Sequence, residues 1–435
     1  MLIEFTVGNF KSFRVKTTFS MIAANLTSDD PALDSDNIIS IKKDLRLLKS
    51  AAIYGANASG KSNLGVALRF MRDFVLESSR ETFANATIAV EPFLLDKDTR
   101  HQPSFFELLF LLNATQYRYG FEVNKSHVVS EWLFRAKAKE ACLFKREGQE
   151  IEIKAAFKEG QGLQGKTRPN ALFLSVAAQF NGNTAETIRE WFNTFAVETG
   201  LQDDRFRMYT LDCLRDPVQQ AEIVSFVQAF DLGIDDVMAA NPPPLDDLPQ
   251  DLPGEVKQRI RKSVGETIYT AHRFGEGVED FELFNLDKHE SHGTRKLIAM
   301  AGPLHSILAN GQTMFVDELD ARLHPLTTRR IIEMFQSPLT NPKGAQLIFA
   351  THDTNLLDKS LFRRDQIWFS EKDQKGATHL TSLAEYRVRN DAAFEKNYLE
   401  GRYGAIPFLG DLKRLPLAQV GRAEEQETWQ EMIHA

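Results

Sequence analysis

The sequence predicts an α/β fold: a sheet of parallel strands that carries a phosphate-binding loop, joined to an antiparallel β subdomain and a helical insertion. Three observations predict this class. The apolar run 51–54 is followed by the letters GANASGKS at 55–62 and then by helical spacing of apolar residues up to Glu77. Strand-like and helix-like segments alternate from 281 to 370, as they do around a parallel sheet. Residues 105–146 divide into short strand-like runs, which are typical of antiparallel hairpins.

The composition is that of an ordinary soluble globular protein. A chain of 435 residues is too long for one simple core, so two or three domains are expected. A net charge of −8 argues against a surface built for tight, non-specific binding of nucleic acid, although a local basic groove is still allowed. Cys142 and Cys213 are isolated, which indicates neither a disulfide framework nor zinc and fits a reducing cytoplasm.

Membrane insertion and secretion are not expected. The start of the chain does not have the pattern of a signal peptide. The longest dense apolar stretch, 105–112, contains Glu107 and is far shorter than the roughly 18 residues that span a bilayer.

The N-terminal part is predicted to be rich in strands, and the middle to be mostly helical. A Pro/Asp-rich connection at 241–254 interrupts the helical middle, and no heptad pattern is sustained, so a long coiled-coil arm is not expected. The expected strands are 2–7, 14–21, 51–54, 105–112, 116–123, 128–136, 141–146, 281–285, 313–316, 346–350 and 366–370. The expected helices are 63–77, 184–199, 217–230, 255–266, 295–309, 325–336 and 355–359.

The segment 55–62 matches the phosphate-loop pattern G-x-x-x-x-G-K-[ST]. Gly55 and Gly60 allow a tight turn whose N–H groups point inward, so a polyphosphate fits the concavity. Lys61 can reach the terminal phosphates, and Ser62 offers a hydroxyl to Mg²⁺. The helix that begins here adds its positive end. The predicted nucleotide-binding residues of this segment are Gly55, Ala56, Asn57, Ala58, Ser59, Gly60, Lys61, Ser62 and Asn63.

Two carboxylates follow the predicted strand 313–316. Such a buried strand delivers Asp317 to the carboxyl edge of the sheet, where it can hold Mg²⁺, and places Glu318 to polarise an attacking water. An Asp-Glu pair alone is as often a helix N-terminus, but the phosphate loop in the same chain favours the metal-binding interpretation.

Two further motifs surround this strand. His352 ends the next strand, at a position from which an imidazole can sense the γ-phosphate; the alternative is a structural histidine. Ser291-His292-Gly293-Thr294 precedes the helix at 295–309 and is an anion-binding arrangement, or else an ordinary N-cap. His289 and His292 do not have the carboxylate or cysteine partners that a zinc site needs.

The motifs and their order resemble those of the ABC-class ATPases, in the branch that contains the SMC and RecF proteins. Asn9-Phe10-Lys11-Ser12-Phe13 is similar to the N-F-[KR]-S-[FY] opening of that branch, and 291–294 resembles a divergent ABC signature. Residues 317–320 resemble Walker B, the catalytic glutamate and the D-loop, and His352 resembles the switch histidine. The continuation 321–325 is similar to a compact bacterial group, the AAA-fifteen or abortive-infection ATPases of anti-phage defence, related to the overcoming-lysogenization type.

The resemblance implies an ABC-type P-loop head divided along the chain. It implies an N-terminal half over 1–160, a mostly helical insertion over 161–270, a C-terminal half over 271–375, and a tail over 376–435 that packs on the head or a partner. The resemblance covers about 1–120 and 270–370 and does not cover the insertion. The glutamine of the Q-loop is not identified by position; Gln102 is a candidate.

The resemblance also implies an activity and a composite site. It implies hydrolysis of ATP with Mg²⁺, with Lys61, Glu318 and His352 as catalytic groups. Ser291, Gly293 and Thr294 would complete the ATP site of a second copy in a head-to-tail dimer or a higher homo-oligomer. Asp320 would lie beside the nucleotide, and Ser62 and Asp317 would hold the metal.

Three functions agree with these motifs. The first is a sensor or scaffold of an anti-phage system that controls a separate toxin or nuclease effector. The second is a DNA repair or recombination ATPase of the RecF type, with DNA in a basic groove of Lys137, Lys139, Lys145, Arg146 and Lys154; the alternative for these residues is an exposed strand face. The third is a scaffold that binds ATP with little turnover.

Overall fold

The structure is a computed structural model of the whole chain. The residues it describes are 1–80, 86–137, 139–198, 204–241, 248–249, 252–275, 280–388 and 392–407. The end of the predicted tail, 408–435, therefore lies outside the described residues.

The described residues form the following strands and helices. The strands are β1 Leu2–Gly8, β2 Thr17–Ser20, β3 Ile38–Lys42, β4 Leu45–Leu48, β5 Ser50–Tyr54, β6 Ser104–Leu112, β7 Thr115–Val123, β8 Val128–Ala136, β9 Glu140–Glu147, β10 Glu150–Ile153, β11 Ala196–Glu198, β12 Asp236–Ala239, β13 Ile268–Arg273, β14 Phe281–Asn285, β15 Thr313–Val316, β16 Gln346–Ala350, β17 Ile367–Lys372 and β18 Thr378–Ser382. The α-helices are α1 Pro31–Asn37, α2 Lys61–Glu77, α3 Phe173–Gln179, α4 Asn183–Thr194, α5 Asp204–Cys213, α6 Pro217–Gln228, α7 Gly254–Gly265, α8 Leu286–His289, α9 His292–Asn310, α10 Pro325–Gln336 and α11 Phe394–Leu399.

The phosphate-loop strand lies inside a mostly parallel sheet. Within the described residues its order is β11-β15-β16-β5-β17-β18, with all neighbours parallel except the β17-β18 hairpin. Every residue of β5, β15 and β16 is buried, because helices or the second sheet cover both faces. The carboxyl ends of β5, β15 and β16 therefore meet at one edge.

The second large sheet is antiparallel and packs across helix α2. Its order is β10-β9-β8-β7-β6-β1-β2. One apolar core joins this sheet, α2 and the β5-β15-β16 face that carries Ile53, Phe315 and Ile348. The opposite face of the parallel sheet, where Met314 and Phe349 point, packs on the core built around α9 and α10. Successive side chains of each strand therefore point to opposite faces of the sheet and pack in two different cores.

The predicted class, an α/β fold with a parallel P-loop sheet, an antiparallel subdomain and inserted helices, is confirmed. Strands β15 and β16 and helix α10 have the predicted bounds. The segment 161–270 contains helices α3 to α7, and it also contributes β11 to the edge of the parallel sheet.

Two local predictions are wrong. The helix expected over 184–199 ends at Thr194, because the chain extends into β11. The helix expected over 355–359 is only a 3-10 turn, Thr354–Leu356, capped by the Asp353 side chain and followed by Leu357 with a non-helical ψ of 60°.

Two of the five basic residues proposed as a groove have other partners in the structure. Arg146 is fully buried and donates to the carbonyls of Ala171 and Gly148, with Glu131 3.6 Å away. Lys154 pairs with Glu152 on the exposed strand β10. In the part of the chain that the structure describes, no helix is long and apolar enough to cross a membrane.

Candidate functional site

The phosphate loop has the strained backbone that the motif requires. Ala58 and Gly60 have φ values of 63° and 107°, in the left-handed region that favours glycine. A Cβ at Gly60 would lie 2.1 Å from Thr378 Oγ1, and one at Gly55 would lie 2.3 Å from the carbonyl oxygen of Ser370. Both glycines are therefore needed for close approach as well as for the turn.

Lys61 lies inside the loop that it closes. Its Nζ donates to the carbonyls of Gly55 at 2.7 Å and Ala56 at 3.0 Å. Burial lowers the pKa of Lys61 to about 8, and the nearby carboxylates of Asp317, Glu318 and Asp320 oppose this shift. The ammonium group of Lys61 therefore already lies on the inside of the loop, where a bound phosphate would contact it.

Side chains from both ends of the chain brace the loop. Thr378 Oγ1 donates to the Ser59 carbonyl at 2.8 Å, and the Ser370 hydroxyl donates to the same oxygen at 3.2 Å. Asn63 Nδ2 donates to Ser12 Oγ at 2.6 Å, and the Ser12 hydroxyl lies 2.8 Å from Thr378 Oγ1, to which it can donate. Ser12 belongs to the N-F-K-S-F segment, so this segment supports the loop.

The carboxylates after β15 lie at the same edge as the loop. Asp317 is 4% exposed, and its N–H donates to the Glu198 carbonyl. Within the described residues, Asp317 Oδ1 and Asp320 Oδ1 are buried without a hydrogen-bond partner. Buried carboxylate oxygens without partners are costly unless a cation or donor satisfies them, and oxygen is the ligand that Mg²⁺ prefers. Ser62, the second residue of α2, directly follows Lys61 and is exposed. This donor set fits Mg²⁺ with a nucleotide.

Glu318 occupies a turn of unusual backbone. Its φ is 52°, and Arg322 has a φ of 66°. The N–H of Leu319 donates to the carbonyl of Ala350, the last residue of β16. A strained non-glycine residue at such a position marks a conformation that the surroundings hold in place.

His352 follows β16 and faces the same edge. Crowding by protein atoms and the positive charge of Lys61 hold the pKa of His352 below its usual value, while Asp320, Glu318 and Asp317 oppose this effect. The imidazole is therefore mostly neutral at pH 7 and available as donor and acceptor.

The predicted signature residues begin helix α9. Ser291 is its N-cap, with Oγ accepting from Thr294 N at 3.1 Å, and the two hydroxyl groups lie 2.9 Å apart. Ser291 and His292 are exposed. Among the described residues, the structure thus brings together Lys61, Asp317, Glu318, Asp320 and His352, and it places no contact between Ser291 and its own phosphate loop.

The residue before the signature is anchored to the three-stranded sheet β12-β13-β14. Glu290 Oε1 lies 2.6 Å from His272 Nε2 and accepts from Thr270 Oγ1 at 2.6 Å. His289 Nδ1 accepts from the N–H of Asn285, so this ring has a structural contact of its own. Gln102, the candidate Q-loop residue, is exposed, and its carbonyl accepts from the Asn9 amide.

The chain is similar to one protein family and to several solved structures. A family model described as "AAA domain, putative AbiEii toxin, Type IV TA system" matches residues 50–358. Among solved structures, the SMC head domain from Thermotoga maritima is 13% identical, with a TM-score of 0.42, covering 88% of this chain and 98% of that chain. The SmcHead bound to the C-winged helix domain of ScpA is 13% identical, with a TM-score of 0.37, covering 88% and 97%. The Smc head domain with a coiled coil and joint from Pyrococcus yayanosii is 11% identical, with a TM-score of 0.39, covering 92% and 99%. None of the curated proteins compared matches this chain.

Proposed function

The chain belongs to the AAA-domain family whose model matches residues 50–358, and from that premise we propose that it binds ATP with Mg²⁺ and hydrolyses it. One observation carries the proposal. The buried Asp317 and Asp320 oxygens without partners, Glu318 and His352 all surround the lysine of a complete phosphate loop. This is the combination of cation, metal ligands and polar groups that phosphoryl transfer to water requires.

Each residue has a distinct role in the proposed reaction. The loop N–H groups and Lys61 bind the phosphates, and Ser62 and Asp317 would hold Mg²⁺, which neutralises phosphate charge when bound. Glu318 orients the attacking water and accepts its proton, and the neutral imidazole of His352 contacts the γ-phosphate or that water. Asn57 and Ala58 are exposed on the loop, where they can contact the nucleotide.

The same proposal includes a head-to-tail dimer. Ser291 and Thr294 present hydroxyl groups at the N-terminus of a helix of 19 residues, whose positive end favours an anion. Because Ser291 does not contact its own loop in the described structure, it is available to a second copy. Two ATP molecules would then hold the dimer closed, and hydrolysis would release it.

The test combines turnover and mass. We expect Glu318→Gln to abolish phosphate release and to give a stable dimer with ATP in light scattering after size exclusion, whereas Lys61→Ala prevents the dimer. The matched control is Glu150→Gln on the exposed strand β10, which should behave as the wild type. Unchanged phosphate release in Glu318→Gln would disprove the assignment of the catalytic glutamate, and an unchanged mass with ATP would disprove the dimer.

We further propose that this ATPase acts in a toxin–antitoxin or abortive-infection system and controls a separate effector. The family description supports this context. After Ser370, the described residues form β18, α11 and short turns that pack on β17, with Tyr403 stacked on Phe369. This described part holds no further α/β domain that could be the effector. The test is to co-express the adjacent gene with the wild type or with Lys61→Ala and to measure growth. The same growth arrest with both proteins would contradict control of the effector by ATP.

A further inference from the structure

A buried lysine of helix α9 contacts the turn that carries the proposed catalytic glutamate. Lys296 is 4% exposed, and its Nζ donates to the carbonyls of Glu318 at 2.9 Å, Leu319 at 3.2 Å and Ala321 at 2.9 Å. An ammonium group has three N–H donors, and three carbonyl oxygens of one turn accept hydrogen bonds from them. The ammonium group of Lys296 therefore holds three carbonyl oxygens of this turn close together.

Two backbone N–H groups of this segment are bonded to the sheet. The N–H groups of Asp317 and Leu319 donate to the carbonyls at the ends of β11 and β16, the strands that flank β15. These strands belong to the rigid parallel sheet. Lys296 is thus a contact between the turn and an element outside the sheet, and that element is the helix whose N-cap is Ser291.

A second contact joins the same two segments. A Cβ at Gly293 would lie 2.7 Å from the Arg322 carbonyl oxygen, so a glycine is needed for the start of α9 to approach the end of the turn. Lys296 lies five residues after Ser291, about 7.5 Å along the helix axis. A displacement of the first turns of α9 would therefore pass to the 318–322 turn through two contacts, the hydrogen bonds of Lys296 and the close approach of Gly293 to Arg322.

We propose that Lys296 is a positioning residue that couples the two ATP sites of the dimer. The inference rests on the proposed function, in which the Ser291 end of α9 binds the nucleotide held by the partner's phosphate loop. When that end engages the partner's ATP, Lys296 fixes the left-handed backbone of Glu318 in its own site. ATP in one site then prepares the glutamate of the other site for hydrolysis.

The experiment compares Lys296→Met with a matched control, Lys49→Met. Lys49 is another buried lysine, 6% exposed, and its Nζ donates to the Gln336 carbonyl at 2.8 Å, before the amino end of β5. Phosphate release is measured against ATP concentration. We expect a Hill coefficient above 1 for the wild type and for Lys49→Met, and for Lys296→Met a coefficient of about 1 with kcat lowered at least tenfold. Binding of a non-hydrolysable ATP analogue should change less than twofold.

A second measurement does not depend on turnover. In a Glu318→Gln background, hydrogen exchange of the amides in 317–322 should slow when ATP is added, and this slowing should disappear when Lys296→Met is introduced. A Hill coefficient that is the same with and without Lys296, or equal losses in both methionine variants, would overturn the coupling while leaving the proposed ATPase intact. Absence of any ATP turnover in the wild type would instead overturn the proposed function and the coupling with it.

Discussion

Raising the pH should weaken nucleotide binding through Lys61. Burial lowers the pKa of Lys61 to about 8 in the nucleotide-free protein. Bound phosphates favour the charged ammonium, so binding raises this pKa and takes up a proton. Affinity therefore falls as the pH rises through the pKa of the free protein.

The magnitude follows from the fraction of charged lysine. With a pKa of about 8, roughly nine-tenths of the molecules carry a charged Lys61 at pH 7 and about one-tenth at pH 9. If only the charged form binds, the dissociation constant of MgATP rises about tenfold between these pH values.

Calorimetry with a non-hydrolysable ATP analogue measures this change. Titrations in buffers of different ionisation enthalpy should also show uptake of about one proton per nucleotide at pH 9. Lys61→Arg is the control, because a guanidinium stays charged at both pH values; its affinity should be nearly independent of pH. Equal dissociation constants for the wild type at pH 7 and pH 9, or the same loss in Lys61→Arg, would refute the reasoning.

Three further predictions concern the support of the site. Gly65→Ala should lower stability by about 1–3 kcal/mol, because a Cβ there lies 2.3 Å from the Phe315 ring; thermal unfolding measures it, and Phe315→Leu in the same chain should recover part of the loss. Glu131→Ala should cost about 3–5 kcal/mol in urea unfolding, because Arg146 would keep its buried charge without the opposite charge of Glu131, and the N–H groups of Phe173 and Leu174 would lose their acceptor; a cost below 1 kcal/mol would contradict this. Thr378→Val should weaken ATP binding roughly fivefold, equivalent to about 1 kcal/mol, by removing a brace of the phosphate loop; calorimetry showing unchanged affinity would exclude that role.

The parts that the sequence predicts well are those with local physical causes. β15 and β16 are short buried apolar runs that end in polar residues, so both their bounds and their shared edge follow from the pattern. The placement of Lys61, Asp317 and His352 near one another follows from the parallel order of the strands that deliver them.

The remaining parts depend on contacts between distant residues. β11 has only three residues and follows a helix directly, so its pairing with β15 gives no periodic signal. Thr378 supports the phosphate loop across more than 300 residues of sequence, and no local motif marks it. Lys296 looks like an ordinary charged residue early in a helix, and only the fold shows that it is buried against the Glu318 turn.

The bracing of the phosphate loop also has a consequence for how the protein is made. The loop at 55–62 is complete in sequence early in synthesis, but β16, β17 and Thr378, which flank and brace it, are added more than 280 residues later. A nascent chain that has not yet reached residue 378 therefore has no braced pocket for ATP. The nucleotide therefore becomes a ligand only of a chain that extends through residue 378, so a ribosome-bound or truncated product without this residue would not compete with folded molecules for it.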